Sequence, residues 1–164
     1  MKKPTQVARV AAGRFIDDYL AYLLAQASHA VSDEFRTCLA AADVSVIEWR
    51  VLSTLSDHPE IAVGQLSDIV ICKQPTLSKA LDRMEAKGWV RRSLGRKDRR
   101  VIGVSIDRAG TKMTRDLLQK AKELEEAELS GFSKKEIRTL KRILRDLIHH
   151  CSDRQVLDAD GTTG

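Results

Sequence analysis

The chain has 164 residues, 43% hydrophobic and 31% charged, with a net charge of +5 and a pI near 9.2. That is about one domain's length. No apolar run approaches the roughly 20 residues of a membrane span, and the basic balance favours a polyanionic partner. Two lysines without a continuous apolar core make the N-terminus a poor secretory signal, so a cytoplasmic protein is expected.

Residues 1–12 are basic, lack periodicity and read as a flexible arm. A long amphipathic helix is predicted over about Arg14 to Ala41, because Ile16, Leu20, Leu23, Ala27, Val31 and Phe35 recur in steps of three and four. Phe15, Tyr19, Leu24 and Leu39 widen that stripe beyond what one neighbour can cover. Ser45 and Glu48 form an S-x-x-E capping box, with Val44 and Trp49 spaced as a hydrophobic staple, so a second helix starts there. Ile47, Val51, Leu52 and Leu55 supply its buried face, and Asp57, His58 and Pro59 end it. A short helix near Val63 to Val70 follows. It has no capping residue at Ala62 or Val63, and its start depends on tertiary packing.

Leu77, Leu81 and Met84 mark the inner face of the next helix. Pro75 suits its first turn and Gly88 the position past its end. Two alternating stretches, Trp89 to Arg92 and Val101 to Ile106, read as a hairpin with its turn near Gly95 to Asp98. Lys87 to Arg100 holds seven cations against Asp98 alone, a net +6 in a chain of +5. Positive charge so localised is what a phosphate-binding surface requires. A long charged helix then runs from Asp107 to about Ser130, with Met113, Leu117, Leu118, Ala121, Leu124 and Leu129 as its apolar stripe. Ser133 and Glu136 make a second capping box, with Phe132 and Ile137 as its staple. The last helix carries Ile137, Leu140, Ile143, Leu144, Leu147, Ile148 and Cys151. From Ser152 onward the residues are small and polar and read as a disordered tail.

Cys38, Cys72 and Cys151 are odd in number and lack a C-x-x-C pair, which fits a reducing compartment rather than disulfides or structural zinc. His149 and His150 are adjacent on a helix, so they point about 100° apart and do not share one metal ion easily. No Ser/His/Asp, phosphate-loop or metal motif appears, so neither an enzyme, a catalytic residue, a metal nor a cofactor is expected.

Two helices followed by a basic hairpin form the layout of a winged helix-turn-helix. Asp98 to Gly110, DRRVIGVSIDRAG, resembles the wing signature of the multiple-antibiotic-resistance regulator (MarR) family. Lys73 to Arg92, KQPTLSKALDRMEAKGWVRR, is similar to that family's recognition helix running into its first wing strand. The resemblance extends from about residue 15 to about residue 150. Asp107 stands where the family usually has Thr, and Asp caps a helix about as well. The resemblance implies a mainly α fold with a small β-wing: an N-terminal helix over 13–44, a winged helix-turn-helix lobe over 45–107, C-terminal dimerisation helices over 108–151, and a tail over 152–164. It also implies a homodimeric, sequence-specific regulator of double-stranded, palindromic operator DNA, usually a repressor released by a small molecule. Two-fold symmetry would set the half-sites about 10 bp apart.

With Leu77, Leu81 and Met84 inward, Gln74, Thr76, Ser78 and Lys79 are left for the major groove. Gln reads adenine bidentately, hydroxyls contact most bases, and a Thr methyl meets thymine. Arg83, two turns in, is assigned to phosphate. In the wing, Asp98 and Arg100 form the family's D-x-R pair and lie on one face of an extended strand. Arg96, Lys97 and Arg99 are the other tip contacts, and a narrow minor groove favours Arg96 over Lys97. The resemblance places an effector site where the first helices meet the DNA-binding lobe, with Tyr22, His29, Arg36 and Trp49 as its candidates. Aromatic walls with one cation suit an aromatic acid or its acyl-CoA thioester. A further resemblance, over LAYLLAQASHAVSDEF and SVIEWRVLSTLSD, is to regulators of aromatic-acid breakdown. The alternative is an architectural or counter-silencing DNA binder without a dedicated effector.

Overall fold

The computed structural model describes residues 14–94 and 101–160, with side chains through Ser152. The predicted first helix is broken in two. Helix α1 spans Phe15–Asp18 and α2 spans Leu20–Ala41, and Tyr19 between them is extended (φ −74°, ψ 112°). The Tyr19 carbonyl accepts the first amides of α2, from Tyr22 and Leu23, at 3.0 and 3.1 Å. Asp17 and Asp18 are poor mid-helix residues. Both carboxylates lie within the single turn of α1, at whose start negative charge is favourable.

Helix α3, Val46–Asp57, begins at the predicted capping box. The Ser45 amide donates to Glu48 Oε2 at 2.7 Å and the Glu48 amide donates to Ser45 Oγ at 3.2 Å. Strand β1, Ile61–Ala62, is an element the sequence pattern did not reveal. Two residues are too short to show an alternation, and β1 exists because β3 pairs with it, Ile61 opposite Val104 and Ala62 opposite Gly103. That pairing sets up Ala62, the uncapped start of α4 (Val63–Ile69). Helix α5, Gln74–Ala86, then gives way to Gly88 at φ 67°, and the Trp89 amide reaches back to the Met84 carbonyl at 2.9 Å. Strands β2 (Val90–Leu94) and β3 (Ile102–Ile106) pair antiparallel, and the sheet order is β1-β3-β2.

The turn between α4 and α5 is held from three sides. Arg50 Nη1 of α3 donates to the Val70 carbonyl at 3.1 Å, the Cys72 amide donates to the Ser67 carbonyl at 3.1 Å, and Ser67 Oγ donates to the Cys72 carbonyl. Ile71 at its apex has φ 54°, a conformation costly for a β-branched residue. The surrounding bonds over-determine it.

The core lies under this lobe. Val51, Leu52 and Leu55 of α3 meet Leu66, Val70, Leu77, Leu81 and Met84, with Val90 and Val104 from the sheet closing the cluster. Helix α6, Arg108–Glu128, joins it through Leu117. Buried Gly110 lets the first turn of α6 approach the sheet: a Cβ there would fall 2.1 Å from the Trp89 carbonyl oxygen. Among the described residues no helix is long and apolar enough to cross a membrane.

The chain divides into two compact units, Met1–Leu124 and Glu125–Gly164. In the second, the predicted capping box forms: the Ser133 amide donates to Glu136 Oε2 at 2.8 Å and the Glu136 amide to Ser133 Oγ at 3.3 Å. Helix α7 runs Lys134–Asp160, well past the expected end at Cys151. The residues from Ser152 to Asp160 include neither Pro nor Gly, so nothing in them stops a helix already nucleated. The disordered tail expected from Ser152 is corrected accordingly as far as Asp160. Leu140, Ile143 and Ile148 of α7 are 50, 49 and 63% exposed.

Candidate nucleic-acid interface

Helix α5 presents the face that the sequence assigned to DNA. Leu77, Ala80, Leu81 and Met84 are buried at 1% exposure or less, and Gln74, Thr76, Ser78, Lys79 and Arg83 are exposed. At 100° per residue the outward surface has two edges. Ser78, Asp82 and Glu85 form the one beside β2, Thr76 and Arg83 form the other, and Lys79 lies between.

Both edges are anchored. On the first, Arg92 of β2 donates from Nη1 to Asp82 Oδ1 at 2.7 Å and Glu85 Oε2 at 2.9 Å, and from Nη2 to the Ser78 carbonyl at 3.0 Å. On the other, Arg83 Nε lies 3.4 Å from Glu48 Oε1 of α3. The Glu48 side chain is only 4% exposed. Burial pushes its pKa up, but the Ser45 amide and hydroxyl, the Lys87 charge and the Arg83 bond outweigh burial and hold it below the ordinary carboxylate value. Gln74 extends toward α4, its Nε2 within 3.7 Å of where a Cβ on Gly64 would stand.

The concentrated positive charge of the wing region divides in two. Lys87 pairs with Asp43 at 2.9 Å and sits over the Trp89 ring at 4.4 Å, Arg91 pairs with Asp107 at 2.8 Å, and Arg92 pairs with Asp82 and Glu85. These three cations brace the lobe. Arg96, Lys97, Asp98, Arg99 and Arg100 lie outside the described residues. The base of the wing is also tied down: Glu60 crosses over Gly103, where a Cβ would fall 2.5 Å from its Oε1, and its carboxylate accepts the Ser93 hydroxyl.

This lobe matches known proteins. The MarR family profile fits residues 44–102, which runs from the start of α3 through the helix-turn-helix and β2 to the first residue of β3. A MarR family transcriptional regulator from Silicibacter pomeroyi DSS-3, known from its crystal structure, superimposes with a TM-score of 0.69 at 30% identity, over 80% of this chain and 99% of that one. The chain belongs to the MarR family. As a MarR-family member it has the winged helix-turn-helix of a transcriptional regulator. The repressor IacR of Pseudomonas putida is 26% identical over 134 residues, 82% of this chain and 80% of its own. The homoprotocatechuate degradative operon repressor of Escherichia coli is 24% identical over 138 residues, 84% and 93%.

In this MarR-family chain the four effector candidates do not form one cluster. Tyr22, His29 and Arg36 are exposed along one face of α2 at seven-residue intervals, about 10 Å apart along the axis. Arg36 Nη2 donates to the His29 backbone carbonyl at 3.0 Å, so its guanidinium lies level with residue 29, two turns from Tyr22. Trp49 is half-buried, edge-on to Phe35 with centroids 5.0 Å apart. Sequence reasoning passed over Arg92 and Glu48 as interface residues. Arg92 was counted among the phosphate-seeking cations and Glu48 as a cap alone. Their partners on α5 are 7 to 14 and 35 positions away, beyond any local pattern.

Proposed function

We propose that the protein is a homodimeric regulator that binds double-stranded palindromic DNA and acts as a repressor released by an aromatic acid or its acyl-CoA thioester. The observation that carries the DNA reading is α5, with one face wholly buried and a polar, exposed face beside a braced wing. Gln74, Thr76, Ser78 and Lys79 read bases, Arg83 meets phosphate through its exposed guanidinium, and Arg96, Lys97, Arg99 and Arg100 follow the backbone or minor groove, with Asp98 holding Arg100. The half-exposed apolar residues of α2 and α7, Leu20, Leu23 and Val31 with Leu140 and Ile143, are covered by a second copy. Repressor function and an aromatic inducer are supported by the relatives, one a repressor and another the repressor of an operon that degrades homoprotocatechuate, an aromatic acid. Along α2, Arg36 would balance the carboxylate and Tyr22 or His29 would bond a ring hydroxyl.

The test is how wing and helix divide the work. An operator selected from random duplexes is titrated with variants across salt concentrations. Arg96→Ala or Arg100→Ala should weaken binding to every duplex and lower the salt slope by about one unit per lost phosphate contact. Gln74→Ala or Ser78→Ala should relax preference at one base pair per half-site, about 1–3 kcal/mol. Preference changed by the wing variants and untouched by the helix variants would reverse the assignment.

A further inference from the structure

We propose that Arg92 is a positioning residue that locks the recognition helix to the wing, so that both meet DNA as one rigid body. The inference rests on the DNA-binding reading above. Arg92 sits mid-strand in β2, opposite Val104 of β3, so its backbone is fixed by the sheet. From there it makes four bonds to α5. Its amide donates to Glu85 Oε1 at 2.9 Å. Its guanidinium donates to Glu85 Oε2, Asp82 Oδ1 and the Ser78 carbonyl at 2.9, 2.7 and 3.0 Å. Residues 78, 82 and 85 stand at i, i+4 and i+7, a stripe about 10 Å long on one side of the helix. A planar fork touching three points along two turns resists both rotation and sliding of α5.

The geometry also removes Arg92 from the phosphate-binding charge. It faces two carboxylates, and its side chain is 26% exposed against 65% for Asp82. The latch holds the same turn of α5 that carries Ser78, assigned above to base contact. A small rotation or slide of this turn, within the play that the packing of Leu77 and Leu81 allows, moves Ser78 relative to the groove. The wing's base is independently braced through Glu60 and Ser93, so loss of Arg92 loosens the joint between wing and helix rather than the wing itself.

Two roles for Arg92 must be separated: fixing α5, or neutralising Asp82 and Glu85 beside DNA. The full-length protein first selects its operator from a random duplex library, and affinity for that operator and for a scrambled duplex is measured by fluorescence anisotropy. Arg92→Lys keeps the charge and loses the four-point geometry. The triple variant Arg92→Gln, Asp82→Asn, Glu85→Gln removes the cation and both carboxylates together. Each variant is melted by circular dichroism, and if Arg92→Lys does not fold, the triple variant carries the comparison. With Arg92 as a positioning residue, both variants melt near the wild type, lose at least the roughly fivefold that one base contact is worth, and lose discrimination between operator and scrambled DNA. Full retention of affinity and discrimination by either variant overturns the inference: by the lysine, because charge alone suffices, or by the triple variant, because removing the carboxylates suffices. A wild-type protein that enriches no duplex ends the DNA-binding reading itself, and this inference with it.

Discussion

Glu48 joins three parts of the lobe through one carboxylate. It closes the cap of α3, receives Arg83 from α5 and lies in the field of Lys87. Its pKa in the folded chain is held below the ordinary value of 4.5, so the unfolded chain binds its proton more readily. The stability it confers is therefore complete above about pH 4.5 and lost as pH falls through the lower, folded value. Glu48→Gln should cost about 1–3 kcal/mol near neutrality, because the buried bonds lose their charge-assisted partner. The gap between wild type and variant in urea melts should narrow steadily as pH drops below 4.5. A gap that stays constant down to pH 3 would show that the charge is irrelevant and the cap alone matters. The cap was legible in the sequence because S-x-x-E is a local pattern. The ion pair was not, since 35 residues separate Glu48 from Arg83.

The same division between local and distant causes runs through the elements. Both capping boxes, the inner face of α5 and the hairpin strands follow from spacings of two, three or four residues; the structure has the caps and the α5 face where the sequence put them, and the strands overlap the expected stretches with ends shifted by one or two residues. Strand β1 arises from pairing with β3 more than 40 positions later, and the break at Tyr19 interrupts an apolar stripe whose periodicity continues across it. The wing's charge was legible as a sum but not as an allocation, because the partners of Lys87 and Arg91, Asp43 and Asp107, lie 44 and 16 residues away. The start of α6 tests how much such distant contacts matter. Gly110→Ala would press a methyl group to 2.1 Å from the Trp89 carbonyl oxygen and 3.0 Å from Ile106 Cγ1. Backbone cannot retreat as a side-chain tip can, so the cost should reach about 1–3 kcal/mol or more. Gly88→Ala makes the comparison, since nothing lies within 4 Å of its Cβ and only its φ of 67° is unfavourable. That change should cost about 1 kcal/mol. Thermal melts in which the Gly88 variant loses more than the Gly110 variant would contradict the close approach of α6 to the sheet.

For the whole molecule, the proposed repression and release would reduce to one linked equilibrium. Sedimentation of the free protein should give twice the 18.3 kDa chain mass, and Leu140→Asp with Ile143→Asp should halve it by placing charges on the half-exposed face of α7. A ligand releases such a dimer from DNA only by preferring a subunit arrangement that misplaces the two recognition helices, and it shifts the balance by no more than its differential affinity. The spacing along α2 bears on how that ligand would sit. The Arg36 guanidinium reaches back to the His29 backbone carbonyl at 3.0 Å, which leaves it about 10 Å along the helix axis from Tyr22. A carboxylate held by Arg36 would leave Tyr22 or His29 to meet a ring hydroxyl, and an acyl-CoA thioester would extend beyond them. Titration of benzoates, cinnamates and their thioesters by calorimetry, with and without operator, distinguishes these cases. Arg36→Ala should weaken both classes and spare DNA binding, whereas Tyr22→Phe should weaken ligands that carry a ring hydroxyl more than those that lack one. Saturating operator must weaken ligand binding by the same factor by which ligand weakens operator binding, about 5–150-fold for a coupling of 1–3 kcal/mol. Equal ligand affinity in both titrations would mean that the face of α2 binds the ligand without acting as the switch.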